Sequence, residues 1–163
     1  LKLSLLLDDQ LHIRLTSHNR GTDTVTLSQA LHTYFAVSDV RNVQVEGLDG
    51  TAYIDTTDGW TEKTQAGPLH FTAETDRIYL DTPAQLSIVD NDWQRRIQLT
   101  AEGSRSTVIW NPWTERAKAF DDMADDGWQG MVCIETANVL GDVVTLAPSE
   151  SHTLGVSIAS TTL

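Results

Sequence analysis

Cysteine is almost missing from this chain. Cys133 stands alone among 163 residues, which excludes an internal disulfide framework and fits a reducing compartment. Positive charge is sparse as well. Lys and Arg number 11 against 23 Asp and Glu, for a formal net charge of -12. The cations are scattered, so there is no basic stripe to attract nucleic acid, and a duplex would be repelled overall. The same balance works against anionic small molecules, so any phosphate site needs a local cluster of arginines. Long apolar runs are absent too: none approaches the roughly 20 residues that span a bilayer, and no basic-then-apolar leader opens the chain. These absences together lead to the expectation of a cytoplasmic protein with neither nucleic acid nor membrane as partner.

What is present is enough apolar material for a core, 40% of residues, arranged with the period of two that marks strands. Leu1, Leu3, Leu5 and Leu7 alternate along the first segment, and Leu11–Ser17 follows a turn at Asp8-Asp9-Gln10. Further strands are expected at Thr24–Leu27, His32–Val37, Val43–Glu46, Thr51–Asp55, Leu69–Glu74, Ile78–Asp81 and Gln85–Val89. Asp90-Asn91-Asp92 reads as a hairpin turn into Gln94–Ala101, before Thr107–Trp110, Met131–Thr136 and Leu154–Ile158. Asx and Gly turns separate them. One helical turn is expected after Asn111-Pro112-Trp113, with Thr114 as its cap. This is an all-β pattern, a sandwich or barrel of antiparallel sheets. Residues 1–163 read as a single domain or part of one. Because strand pattern begins at the first residue, the chain is expected to start in mid-domain.

Three features could carry chemistry. His32 shares a strand face with Ala30, Tyr34 and Ala36, which leaves space around a side chain that titrates near neutrality. It is either a hydrogen-bonded sheet histidine or a working one. Glu135 lies in Met131-Val132-Cys133-Ile134-Glu135, where both strand faces are apolar. A carboxylate there is costly unless paired or functional, and burial would suit it to general-base work. Its bland alternative is a strand that stops at Ile134. Trp110-Asn111-Pro112-Trp113 suits a sugar, with a flat ring for the apolar pyranose face and an amide for hydroxyls; either tryptophan could instead plug the end of the sandwich. Trp60, Trp93 and Trp128 read as structural. Asp121, Asp122, Asp125 and Asp126 lack calcium-loop spacing, and the other histidines show no metal-ligand spacing.

Ala30-Leu31-His32-Thr33-Tyr34-Phe35, Val108-Ile109-Trp110-Asn111-Pro112-Trp113 and Met131–Glu135, in that order, resemble the hexose-6-phosphate mutarotases of the galactose mutarotase-like superfamily. The segment from Val144 to Leu154 is similar to that family's last strands. The resemblance implies a large antiparallel β-sandwich, here lacking its N-terminal strands, with a sugar groove across one sheet. It implies a monomer that acts on a sugar or sugar phosphate and uses no metal and no cofactor. His32 matches the family's catalytic histidine and Glu135 its glutamate, while Asp76 is similar to an aspartate near the sugar hydroxyls. Trp110 and Asn111 are the remaining candidate sugar contacts. The implied reaction is anomer interconversion of a hexose 6-phosphate by general acid and base. The pair is expected to face opposite edges of one pyranose, far enough apart to hold the ring between them. The alternative is a carbohydrate-binding module without catalysis. Arg20, Arg41, Arg77, Arg95 and Arg96 match no phosphate motif.

Overall fold

The computed structural model describes residues 1–163. Sixteen strands run in chain order as β1 (Lys2–Leu7), β2 (Leu11–His18), β3 (Val25–Leu27), β4 (Gln29–Leu31), β5 (Tyr34–Ala36), β6 (Val43–Glu46), β7 (Ala52–Asp55), β8 (Thr61–Thr64), β9 (Leu69–His70), β10 (Thr75–Leu80), β11 (Gln85–Asp90), β12 (Arg95–Glu102), β13 (Ser106–Asn111), β14 (Met131–Asn138), β15 (Val144–Leu146) and β16 (Ser151–Thr162). One short helix, α1 (Trp113–Ala117), lies between β13 and β14. No helix is long and apolar enough to cross a membrane.

The strands form two large sheets, ordered β1-β2-β16-β12-β11-β6-β9 and β4-β14-β13-β10-β7-β8, with β5 also on β14 and a small β15-β3 ribbon apart. The long ladders between neighbours are antiparallel, as in β12 with β16 and β13 with β14. Alternation along the strands explains the layering: residues two apart share a face, and the apolar set of each sheet turns toward the other. Val43, Val45, Ile88, Ile97, Leu99 and Val156 from the first sheet meet Phe35, Tyr53, Tyr79, Ile109, Val132 and Ile134 from the second in one contiguous buried cluster. The opposite face of the second sheet is left for a site.

Several boundaries differ from the sequence reading. The segment expected as one strand over 32–37 is two short strands, 29–31 and 34–36, interrupted at His32-Thr33. The expected strand Leu69–Glu74 shrinks to Leu69–His70, and β10 begins at Thr75 rather than Ile78. The polar strand β8 carries no apolar residue, so alternation could not disclose it. The helix starts at Trp113, and the amide of Trp113 donates to Asn111 Oδ1 at 3.0 Å. Asn111, not Thr114, therefore satisfies the helix entry, because the helix starts two residues earlier than expected.

Two polar devices hold the frame. Asp90 is fully buried at the end of β11 and accepts from the Ser38 amide (2.8 Å), the Ser38 hydroxyl (2.6 Å) and the Trp93 amide (3.2 Å). Burial alone would raise its carboxyl, but these donors hold it below the ordinary range. It thereby ties the first sheet to the residues that follow β5 on the second. Gly103, in the turn between β12 and β13, has φ +68, and a Cβ there would stand 2.0 Å from the Thr153 carbonyl oxygen. Both the conformation and the space demand glycine. Gly103→Ala is expected to cost about 2–4 kcal/mol, read as a lower urea midpoint at unchanged slope.

Candidate active site

The β4–β5 interruption keeps its register. Leu31 lies opposite Thr136 and Ala30 opposite Ala137, while beyond the break Tyr34 lies opposite Cys133 and Phe35 opposite Val132. Continuing that register across the break sets His32 opposite Glu135. The side chains meet accordingly: His32 Nε2 is 3.3 Å from Glu135 Oε1. At the break, the Thr33 amide donates to the Leu31 carbonyl and the Ile134 amide donates to the Thr33 carbonyl.

The strand register lays out two adjacent rows across this face. Tyr34, Cys133, Trp110 and Asp76 form one; Glu135, Val108, Ile78 and Ile54 continue from His32 in the other. Small or flat residues make the floor, His32 and Tyr34 stand at one side, and Asp76 stands at the other. A cleft of about 410 Å³ adjoins the first row, lined by Tyr34, Trp110, Phe120, Asp122 and Met123.

The two members of the pair differ in exposure. The Glu135 side chain is 10% exposed, whereas that of His32 is 50% exposed. Burial pushes the Glu135 carboxyl above the ordinary value; His32 pulls it down, and the charge of Asp76 raises it further. A carboxylate raised in this way is a stronger base than an exposed one, and the exposed imidazole beside it can exchange protons with a ligand or water.

The sequence-derived residues separate into two groups. His32, Glu135 and Trp110 come together: the Trp110 ring meets His32 edge-on, with centroids 6.1 Å apart. Asp76 lies opposite Trp110 on the neighbouring strand. Asn111 does not join them. It is fully buried, and its amide nitrogen donates to the carbonyls of Trp128 (2.8 Å) and Met131 (2.9 Å). With its amide hydrogens donated, Oδ1 accepting from Trp113 and no surface exposed, it offers a sugar hydroxyl no approach, so the expectation that Asn111 contacts sugar is corrected. It lies on the same strand face as Ile109, which points to the core. The two tryptophans of the motif divide the roles proposed for them: Trp110 faces the site, and Trp113 packs on the buried Trp128 with centroids 4.4 Å apart. Trp60 and Trp93, read as structural, are more than half exposed.

The expected gap between His32 and Glu135 is also corrected, since the two groups touch. The chemistry does not need the gap. The anomeric hydroxyl oxygen and the ring oxygen of a pyranose are bonded to the same carbon, so neighbouring groups can address both from one side. Four of the five arginines considered for phosphate are engaged elsewhere. Arg41 pairs with Asp39 and Arg96 with Glu46; Arg77 donates to Gln65; Arg95 donates to the Ala36 carbonyl. Sequence reasoning noted Tyr34 beside His32 without giving it a role, and it missed Phe120 and Met123. Their only signal was apolar character in an acid-rich loop.

Comparison with known proteins gives the family. The aldose 1-epimerase family profile matches residues 1–159. The chain is 37% identical over 143 residues to a candidate glucose-6-phosphate 1-epimerase of Cenchrus ciliaris, covering 85% of this chain and 43% of that protein. It is 30% identical over 138 residues to one of Haemophilus influenzae, covering 85% and 48%. The crystal structure of a candidate mutarotase from Salmonella typhimurium superposes with a TM-score of 0.90 at 28% identity, over 99% of this chain and 53% of that one. The chain thus spans about half the length of the relatives it matches. On the profile match and these relatives, the chain belongs to the aldose 1-epimerase family.

Proposed function

We propose that the protein interconverts the α and β anomers of glucose 6-phosphate or a close hexose 6-phosphate. The observation that carries this reading is the His32–Glu135 contact at 3.3 Å on a face floored by Cys133, Val108 and Trp110. Glu135, as carboxylate, takes the proton of the C1 hydroxyl while His32, as imidazolium, gives one to the ring oxygen. The C1–O5 bond breaks, the aldehyde forms, and rotation about C1–C2 exposes its other face. On reclosure Glu135 returns its proton to the new hydroxyl and the ring oxygen's proton goes back to His32. Each residue ends as it began, with no covalent intermediate. The Trp110 face takes the apolar side of the sugar, and Asp76 accepts from hydroxyls remote from C1. The names of the relatives support a 6-phosphorylated substrate. The protein acts as a cytoplasmic monomer, for which the acidic charge and buried lone thiol are the support.

Two-dimensional exchange NMR of glucose 6-phosphate on the full-length gene product tests the reading. Cross-peaks between the anomers should build up faster than in buffer, and faster than for glucose at equal concentration. Sugar binding with exchange at the buffer rate would replace this reading with that of a carbohydrate-binding module.

A further inference from the structure

Tyr34 is a large aromatic side chain 56% exposed on an edge strand. Folding energy explains it poorly, because more than half of its surface stays in water. Its ring lies on the imidazole of His32, centroids 4.9 Å apart and planes 14° from parallel. The same ring meets Trp110 edge-on at 6.3 Å and 80°, and Trp110 meets His32 in the same manner at 74°. Trp110 is itself braced by Phe120, at 5.9 Å and 82°. Three constraints therefore converge on one half-exposed imidazole: a ring on its face, a ring at its edge and a carboxylate at Nε2. Backbone does not supply them, since the ladder is interrupted at His32-Thr33. Without such constraints an exposed histidine samples several staggered rotamers, and only some bring Nε2 to the base.

We propose that Tyr34 is the positioning residue of His32: its stacked ring selects the rotamer in which Nε2 reaches both Glu135 and the ring oxygen of a bound sugar. The inference rests on the mutarotase reading for its consequence, but not for its geometry. The phenol works as a flat neutral surface rather than as an acid. Burial, with Cys133, Asp122 and Glu135 nearby, pushes its hydroxyl above the ordinary value, so it stays protonated. Stacking pairs of this kind are modest in strength, which sets the expected effect at about five- to tenfold in rate.

Two variants of the full-length protein, Tyr34→Phe and Tyr34→Leu, separate ring from hydroxyl. Tyr34→Phe should keep kcat within about twofold of wild type. Tyr34→Leu should lose roughly five- to tenfold in kcat with KM nearly constant, as expected when a transition-state alignment is lost and substrate contacts are not. NMR of histidine-labelled protein gives a readout independent of turnover. The His32 ring protons should be shifted upfield in wild type and Tyr34→Phe, and should move downfield in Tyr34→Leu. Amide dispersion in the same samples reports that the fold is intact. Equal losses in both variants would overturn the proposal, because the hydroxyl would then be the working part. Unchanged His32 resonances in Tyr34→Leu would overturn it too. If wild type fails to accelerate anomer exchange while the ring shift still depends on Tyr34, the positioning stands and the mutarotase reading falls.

Discussion

Glu135→Gln is expected to lower the catalysed anomer exchange of glucose 6-phosphate by about 10²- to 10⁴-fold, the usual range for losing a general base. KM should move little, because the amide keeps the size and planarity of the carboxylate. His32→Asn should lose a comparable factor. The double variant should be little worse than the poorer single one, since the two residues act on one proton-transfer event. Additive losses would mean that they act in separate steps. The same substitution has a signature in stability. Because burial raises the Glu135 carboxyl, the folded state holds a proton there at pH values where the unfolded chain has lost it. Stability therefore falls as pH rises through that window. Glu135→Gln removes this loss, so its Tm should exceed that of wild type on the alkaline side. The two melting curves should converge as the solution is acidified below the ordinary carboxylate range. A variant that melts below wild type at pH 8 would show that the carboxylate is stabilising, against the raised value.

The second large effect belongs to Asn111. Asn111→Ala is expected to cost about 2–4 kcal/mol: it removes the cap on the Trp113 amide and leaves the carbonyls of Trp128 and Met131 short of a buried donor. Those carbonyls precede and begin β14, so Asn111 joins the exit of β13 to the entry of the strand that carries Glu135. Denaturation by urea would read the loss. Below the transition, KM for glucose 6-phosphate should stay within about twofold of wild type. A large rise in KM with stability unchanged would restore Asn111 as a sugar ligand.

The period-two pattern disclosed most of the ladders because one face of each sheet is buried, and alternation is the trace of that burial. Glu135 was conspicuous for the same reason: a carboxylate in a strand apolar on both faces has few explanations. The break at His32-Thr33 was hidden, since Ala30 to Ala36 alternates as cleanly as any strand. Asn111 was misplaced because an amide next to a tryptophan looks the same whether its strand ends in the core or at the groove. Only the parity of β13 decides, with Ile109 and Asn111 inward and Trp110 outward. The pairings of Arg77, Arg95 and Arg96 were out of reach, as their partners lie 12 or more residues away in the chain.

The interrupted strand has one more consequence. Glu135 sits inside a continuous ladder and cannot shift without moving β13 and β14 together. His32 hangs on a short backbone bridge at the sheet margin, and the rings of Tyr34 and Trp110 hold its side chain there. The carboxylate is thus fixed through backbone and the imidazole through side chains, so loss of one ring frees His32 while Glu135 stays in place.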